Sequence, residues 1–337
     1  MSGNKRMCNL LLTVAGMLLI IAERQIVANG ISEGIEICLQ TIIPSLFPFF
    51  IISAYLQPLL TGSNIPGLAS LGRRLAIPSG QENILLLGLL GGYPVGAQLI
   101  GESYRKGHLS KENGQIMMGY CNHAGPSFLL GITSHLFQNP AAVWWLWCIH
   151  IISAIVTALL LPRCTPQSGH QTDSNPITLP QALQTAISVC ARVCGWILLF
   201  KALFAIISSW FFRDMKGMLY WCTVGILELS NGCLQLMALS SEGMRFILCA
   251  SYLAFGGLCI AMQAASVSTQ VGMTFYFIGK IAQTLVSMAL AIPVAAFLFS
   301  DFNFKVEYWF TYFLVCGVIL IFLRKVSRKK LWKSRVI

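Results

Sequence analysis

An acidic residue stands inside an apolar stretch, in the run LELSNG at Leu227–Gly232. A charged side chain at membrane depth costs about 2.5–3.5 kcal/mol on insertion scales, so such an acid is protonated, paired or functional. Glu228 is the only acid that we place at this depth, and its possible cationic partners are Lys201 and Lys280. We predict that Glu228 couples transport to a proton or Na⁺. The neighbouring candidates are Ser230 and Asn231 for substrate binding and Gly232 for the backbone turn.

A second unusual run is GLLGGYPVGAQL at Gly88–Leu99, where glycine and proline interrupt apolar residues. The freed backbone groups cannot face lipid, because each unsatisfied one costs several kcal/mol. In transporters, broken hydrophobic segments of this kind mark the substrate site. We therefore predict a tip shaped by Gly92, Pro94 and Gly96, with Tyr93 touching the substrate. Alternatively, the four-residue spacing of the glycines serves close helix packing alone.

A third run, CNHAGPS at Cys121–Ser127, contains a helix break at Gly125 and Pro126. Polar side chains here are costly in lipid, so we expect Asn122, His123 and Ser127 to face a cavity. The helix that begins at the break could bind a carboxylate or phosphate at its positive end. His123 could instead carry a proton or be a packed interior histidine. Too few His or Cys residues lie nearby for a zinc site, so no metal and no cofactor is predicted.

The second half of the chain contains a matching break at Gly256 and Gly257, followed by Gln263 on the next half-helix. We expect both tips and both breaks to converge on one cavity at the membrane midplane. The side chains expected within it are Tyr93, Asn122, His123, Ser127, Glu228, Ser230, Asn231 and Gln263.

The composition is that of a polytopic membrane protein. Hydrophobic residues make up 56% of the 337 residues and charged residues only 10%, against about 25% in soluble domains. We predict about eight full spans, two re-entrant hairpins at Ile84–Gly101 and Leu219–Leu239, and two interfacial helices at Ile31–Ile43 and Leu179–Val193. The predicted spans are Met7–Ala22, Ser45–Leu60, Gln115–Phe137, Val143–Leu161, Gly195–Phe212, Phe246–Gln270, Thr274–Phe299 and Tyr308–Leu323.

The charge distribution predicts that both termini are cytoplasmic. With this topology 16 of the 23 basic residues lie inside, seven of them in the tail Arg324–Arg335, and five lie outside. This asymmetry follows the positive-inside rule. A full crossing by Ile84–Gly101 would move Arg105, Lys106 and Lys111 outside, which favours a hairpin. The basic tail directly follows a span, so we expect it to meet anionic lipid rather than nucleic acid.

Short blocks recur in the same order in the two halves. Leu39-Gln40-Thr41 recurs as Leu183-Gln184-Thr185, Gly88-Leu89-Leu90 as Gly225-Ile226-Leu227, and Ala124-Gly125-Pro126 as Phe255-Gly256-Gly257. With the predicted topology the two copies are inverted, a common arrangement in secondary transporters. The fold class predicted is an all-α inverted repeat. Its parts are an N-terminal helix (1–29), repeat 1 (30–162), a linker (163–179), repeat 2 (180–299) and a last span with the tail (300–337).

These motifs resemble a known family. GYPVGA at Gly92–Ala97, CNHAGPSFLLG at Cys121–Gly131 and LELSNG at Leu227–Gly232 resemble the YlbJ-type sporulation integral membrane proteins. IIPSLFPF at Ile42–Phe49 and FGGLCIAMQ at Phe255–Gln263 fit as well. That family belongs to the nucleoside-recognition, or Gate, domain group, which shares an inverted-repeat plan with concentrative nucleoside transporters. The family usually has Asn where His123 stands and Ser where Ala124 stands, which bears on the substrate more than on the fold.

The resemblance implies transport of a small anion, with dipicolinate as the leading candidate, during endospore formation. The membrane would be the plasma membrane or the outer forespore membrane. The residues alone indicate a transporter-like protein whose helix ends suit an anion. The alternative is a non-transporting scaffold or signalling protein for assembly of the spore cortex or coat. No constellation of nucleophile, base and orienting group is present, so an enzyme is not predicted.

Overall fold

The computed structural model describes residues 3–60, 65–167, 177–212 and 217–302, and in the C-terminal stretch only residues 317, 318, 321, 324 and 325. All regular elements within these residues are helices. The predicted span Tyr308–Leu323 lies outside the described residues except for 317, 318 and 321. The predicted tail does so except for Arg324 and Lys325.

Five of the described helices are long and apolar enough to cross a membrane. This agrees with a helical membrane protein. They are Arg24–Leu60, Ala141–Leu160, Leu179–Phe212, Glu242–Val267 and Thr274–Leu298. The helix Gly3–Ala22 precedes them, and most of its side chains are exposed.

The two predicted interfacial helices are not separate elements. Ile31–Ile43 continues into Ser45–Leu60 within the helix Arg24–Leu60, and Leu179–Val193 continues into the helix Leu179–Phe212. We call these the first and second long helices. Pro44 stands at the first predicted boundary and Gly195 at the second, but neither ends its helix, so the predicted boundaries were wrong. A π-helical turn at Cys38–Ile42 lies within the first long helix just before Pro44. The boundary placed at residue 29/30 therefore falls inside the first long helix.

Two pairs of short helices fold back on themselves. The first hairpin consists of Glu82–Gly91 and Val95–Arg105, and the second of Met218–Leu227 and Leu229–Gln235. None of the four helices exceeds 11 residues, whereas a membrane crossing needs roughly 20. In the first hairpin a Cβ on Gly88 would lie 3.3 Å from the Cα of Gly96, so the helices pack at backbone distance.

Two further helices are interrupted near their middle. The first interrupted helix consists of Lys111–Met118 and Pro126–Thr133, with an irregular segment between them. The second consists of Glu242–Phe255 and Gly257–Val267. Gly256 and Gly257 have φ of +84° and +80°, a backbone region that glycine enters without steric cost.

The two interrupted helices run in opposite directions. Arg245, near the start of the second, donates from Nη1 to the carbonyl oxygen of Leu136, just past the end of the first, over 2.5 Å. At the other end of the molecule, Arg105 donates to the carbonyl oxygen of Val267, at the end of the second interrupted helix. Arg105 also ends the first hairpin, so the first hairpin opens toward the end at which the second interrupted helix finishes.

The two halves share an order of main elements and several packing contacts, although the first half has a further helix, Pro66–Leu75, before its hairpin. Each has a long helix, a hairpin, an interrupted helix and a closing helix, the closing helices being Ala141–Leu160 and Thr274–Leu298. The second helix of each hairpin packs on the first segment of its own interrupted helix and on the second segment of the other one. The two long helices pack on each other, as do the two closing helices. These contacts bring the hairpin tips and the helix breaks together in the core.

Candidate functional site

The two hairpin tips and the two helix breaks meet in the centre of the protein. A Cβ on Gly92, at the first tip, would lie 3.0 Å from the backbone nitrogen of Gly125 in the first break. Tyr93 Oη donates to the carbonyl oxygen of Leu253, beside the second break, over 3.0 Å. A Cβ on Gly257 in the second break would lie 3.3 Å from the backbone nitrogen of Leu229 at the second tip. We call this meeting point the central junction.

Four helices begin at the central junction. They start at Val95, Pro126, Leu229 and Gly257. The N-terminal end of a helix carries unpaired N–H groups and a partial positive charge. The first helix of each hairpin and the first segment of the second interrupted helix end there as well, and helix C-termini carry a partial negative charge. What the junction offers an anion is therefore the backbone N–H groups of the helix starts rather than a net positive field.

A small cavity lies at the junction, and its volume is ≈ 20 Å³. That is room for about one water molecule rather than for a metabolite. The cavity combines apolar walls with a few polar groups, as ligand sites do. Its lining residues are Leu46, Tyr93, Phe128, Val193, Ile197, Glu228, Ser230, Ile260 and Gln263.

Glu228 is 2% exposed and caps the second helix of its hairpin. Its Oε1 accepts from the backbone N–H of Ser230 at 3.0 Å, and its Oε2 accepts from that of Asn231 at 2.6 Å. Both oxygens thus accept hydrogen bonds from donors that carry no lone pair. A carboxylate fits this pattern, because each of its two oxygens is an acceptor.

Lys201 reaches Glu228 only through a neighbour. Its Nζ donates to Oδ1 of Asn231 over 2.9 Å and pairs with Oε2 of Glu33 at 3.3 Å. The lysine is 4% exposed, whereas Glu33 is 68% exposed. The sequence offered a direct pair with Lys201 as one possibility for Glu228, and the described residues do not form it. The helix cap occupies both carboxylate oxygens, and the Asn231 amide takes the ammonium.

Lys280 lies on the other side of the junction and is 1% exposed. Its Nζ donates to the backbone carbonyl of Asn122 over 2.6 Å, to Oε1 of Gln283 over 3.2 Å and to Oη of Tyr93 over 3.3 Å. It ties the second closing helix to the first tip and the first break. Lys280 is not the partner of Glu228 that the sequence suggested.

The polar residues of the first break are buried and bonded to their surroundings. Asn122 Oδ1 accepts from the backbone N–H of Ala97 over 3.4 Å, which holds the break against the first hairpin. His123 contacts the Tyr120 carbonyl at 2.5 Å through Nε2 and Nε2 of Gln283 at 3.4 Å through Nδ1. The interpretation of His123 as a packed interior histidine fits these contacts.

Several buried polar atoms have no hydrogen-bond partner among the described residues. They include Ser127 Oγ, Asn231 Nδ2 and Gln263 Oε1. Such groups cost free energy unless water or a ligand satisfies them. Each belongs to a side chain that the sequence named as a candidate for substrate binding.

The predicted site residues divide into two connected groups. Around the cavity lie Tyr93, Glu228, Ser230 and Gln263, with Asn231 beside Glu228 and Ser127 beside the cavity-lining Phe128. Asn122 and His123 lie in the Lys280 cluster, which Tyr93 joins to the cavity. The backbone candidates form the turns and close contacts of the junction: Gly92, Pro94, Gly96, Gly125, Pro126, Gly232, Gly256 and Gly257.

Sequence reasoning missed Gln283 and His150, both fully buried. His150 Nε2 accepts from the backbone N–H of Ala124 over 3.1 Å, inside the first break. A usable signal was present, because polar residues recur at helical spacing on both closing helices. The stripes are His150, Ser153 and Thr157 on one and Lys280, Gln283 and Ser287 on the other.

The described residues contain no group of three or more His, Cys, Asp or Glu side chains that could hold a metal ion. The polar groups of the junction are amides, hydroxyls, backbone N–H groups, two buried ammonium groups and the Glu228 carboxylate. The donors among them suit a small anion with hydrogen-bonding oxygens. Comparison with protein-family models, curated proteins and solved structures finds no match to this chain.

Proposed function

We propose that the protein is a secondary transporter that carries a small anionic metabolite through the central junction. In this proposal the two hairpins are re-entrant, the halves form an inverted repeat, and both termini are cytoplasmic. The observation that carries the proposal is the convergence of both tips and both breaks on one cavity. Irregular backbone at membrane depth is tolerated where it lines such a cavity.

The opposite course of the two interrupted helices supports the inverted repeat. The Arg245–Leu136 contact places the start of the second interrupted helix beside the end of the first, and the Arg105–Val267 contact places the end of the second beside the end of the first hairpin. Two similar halves of opposite direction can exchange roles, so that the cavity opens to one side and then to the other.

The hydrogen-bond donors of the junction support an anionic substrate. Helix N-termini and buried ammonium groups stabilise carboxylates. Glu228 opposes an anion locally, because its carboxylate lines the same cavity. An anion that binds beside Glu228 is repelled unless a cation accompanies it. This repulsion gives a physical basis for coupling to a proton or Na⁺ at Glu228.

The substrate class follows from the resemblance of the motifs. The YlbJ-type proteins imply dipicolinate and the membrane around the forespore. A dicarboxylate of that size exceeds the present cavity, so transport requires that a tip or an interrupted helix moves outward. Scaffolding in cortex or coat assembly would not by itself require polar groups around a cavity at the point where both tips and both breaks meet.

Reconstitution into proteoliposomes tests the proposal. We expect uptake of radiolabelled dipicolinate above that of protein-free liposomes. Gln263→Leu, which removes a polar group from the cavity wall, should reduce uptake at least about tenfold, equivalent to about 1.4 kcal/mol of binding or barrier energy. Gln184→Leu changes an exposed glutamine on the second long helix and serves as the matched control.

The comparison separates transport from scaffolding. Uptake that Gln263→Leu abolishes and Gln184→Leu preserves supports transport through the junction. If the folded wild-type protein moves neither dipicolinate nor other small carboxylates above the protein-free rate, the transport proposal is wrong and scaffolding is favoured.

A further inference from the structure

The Lys280 ammonium is satisfied entirely by neutral groups. Its three acceptors are the Asn122 carbonyl, Gln283 Oε1 and Tyr93 Oη. Tyr93 donates its own hydrogen to Leu253, so its oxygen is free to accept. An ammonium has three N–H donors, and three acceptors surround it. Among the described residues no carboxylate lies within ion-pair distance of Lys280.

The neighbouring amide and imidazole are oriented by this ammonium. The Gln283 atom that faces Lys280 must be oxygen, since the ammonium only donates. The Gln283 nitrogen therefore faces His123 Nδ1 at 3.4 Å and donates to it. His123 Nδ1 must then carry a lone pair. At 2.5 Å from Nε2 lies the Tyr120 carbonyl, which only accepts, so Nε2 carries the hydrogen. His123 is thus a neutral ring protonated at Nε2.

His150 is constrained in the same way. Its Nε2 accepts from the backbone N–H of Ala124, so this nitrogen cannot carry a hydrogen while the bond exists. The rings of His123 and His150 meet edge to face with centroids 5.5 Å apart. Both imidazoles are therefore held neutral by their hydrogen-bond partners beside a charged lysine.

We propose that Lys280, Gln283 and His123 form a single-proton site, in which Gln283 allows the extra proton on Lys280 or on His123 but not on both. With the proton on Lys280, the amide presents oxygen to the lysine and N–H to the histidine. If the proton leaves Nζ and another binds His123 Nδ1 from water, the amide must rotate by half a turn. Its N–H then donates to the Nζ lone pair, and its oxygen accepts from Nδ1–H. The cluster carries one positive charge in either state.

The ionisable groups near this cluster come from several elements. They are Tyr93 of the first tip, Tyr120 and His123 of the first break, His150 of the first closing helix, Tyr276 on the same helix as Lys280, and Cys259 of the second interrupted helix, which lies near Tyr276. The Tyr93 and Tyr276 rings lie 5.1 and 5.8 Å from Nζ. None of these groups is an acid that could neutralise the charge at ordinary pH.

The single positive charge of the Lys280 cluster affects how an anion would bind in the cavity. The cluster supplies one positive charge beside Tyr93, whose ring lines the cavity, and that charge does not double when the pH falls. This role in attracting an anion rests on the proposed function, whereas the single-proton site itself does not. In the proposed transport cycle, the group that gains or loses a proton with the substrate is therefore Glu228 and not the Lys280 cluster.

Nitrogen-15 NMR of histidine-labelled full-length protein in lipid nanodiscs tests the site without any transport measurement. The His123 resonances are assigned by their loss in His123→Gln. In the wild type we expect a neutral ring protonated at Nε2 from about pH 6 to about pH 8, the interval in which an ordinary histidine titrates. In Gln283→Glu both carboxylate oxygens accept, one from Lys280 and one from Nδ1–H. We therefore expect His123 to be doubly protonated at neutral pH.

Two more variants keep the test decisive. In Lys280→Met the amide is free to rotate, so His123 should become doubly protonated as the pH falls to about 6. Thr284→Val is the control, because Thr284 bonds only the Lys280 carbonyl on its own helix. It should leave His123 as in the wild type. A doubly protonated His123 in the wild type, or a neutral His123 in both the Gln283→Glu and Lys280→Met proteins, would overturn the single-proton site.

Discussion

The carbonyl oxygen of Cys121 lies 1.8 Å from the position that a Cβ on Gly96 would occupy. The same oxygen lies 2.0 Å from a Cβ built on Gly88. The first break therefore enters the groove between the two helices of the first hairpin at backbone distance. Packing alone accounts for these two glycines, as the alternative interpretation of their spacing predicts. In our proposal the substrate therefore contacts the tip of the hairpin and the cavity wall, and not these two glycines.

Gly96→Ala should separate the hairpin from the break. Since the obstructing atom is backbone oxygen, the clash cannot be relieved by a side-chain rotation. We expect a large loss of folded protein, measured as the yield of monodisperse protein and as a lower thermal unfolding temperature in detergent.

Gly195→Ala is the matched control for Gly96→Ala. It lies within the second long helix, and a Cβ there meets nothing within 4 Å. Alanine favours a helix over glycine by up to about 1 kcal/mol, so this variant should be as stable as the wild type or more so. Equal stability of the two variants would contradict the described packing of the first break.

Labelling at Lys106 tests the orientation of the first hairpin. This residue follows the end of the hairpin, is exposed, and is expected in the cytoplasm. In a variant in which the exposed Cys8 and Cys148 are replaced, Lys106→Cys should resist an impermeant maleimide in intact cells and react after permeabilisation. Ser240→Cys, at the other end of the molecule, should react in both conditions. Labelling of Lys106→Cys from outside would show that the hairpin crosses or that the orientation is reversed.

The pH dependence of Cys164 alkylation tests whether its thiol is buried. It follows the first closing helix, and burial raises the pKa of its thiol to about 12. The reactive thiolate forms only as the pH approaches that value, so below it alkylation should rise about tenfold per pH unit. An ordinary exposed cysteine levels off above its pKa of about 8.5. We therefore expect alkylation of Cys164, followed by mass spectrometry, to be slow at pH 8 and still rising at pH 10. A plateau near pH 9 would contradict the burial of this thiol.

The sequence predicted the breaks better than the continuous elements. Glycine and proline at Gly92, Pro94, Gly125 and Gly256 act locally on the backbone, so their effect can be deduced without the rest of the fold. The first long helix could not be deduced in this way. Whether an amphipathic stretch ends or continues depends on tertiary packing, here against Lys201 and its neighbours on the second long helix.

Sequence reasoning named candidate residues for the site, but it did not identify their hydrogen-bond partners. Insertion cost alone identifies Glu228, Lys201 and Lys280 as residues that need partners. It does not say which partners, because these come from distant parts of the chain. Lys280 meets a backbone carbonyl 158 residues away, and a backbone acceptor has no signature in the sequence. Gln283 was overlooked for a related reason, since a neutral amide on an apolar helix attracts less notice than a charge.

Glu228→Gln tests the coupling role against the capping role. The amide can accept one of the two N–H bonds made by Ser230 and Asn231, but its NH₂ group opposes the other donor. Losing part of a helix cap costs about 0.5–2 kcal/mol, so we expect normal insertion with a modest fall in thermal stability. The amide also removes the charge that repels an unaccompanied anion from the cavity. Because the variant also no longer binds the accompanying proton or Na⁺, we expect poor gradient-driven uptake, or uptake that no longer depends on pH or Na⁺, in proteoliposomes. Glu36→Gln, an exposed acid on the first long helix, should retain the wild-type dependence. If Glu228→Gln transports at the wild-type rate with unchanged pH and Na⁺ dependence, its carboxylate serves the helix cap and coupling lies elsewhere.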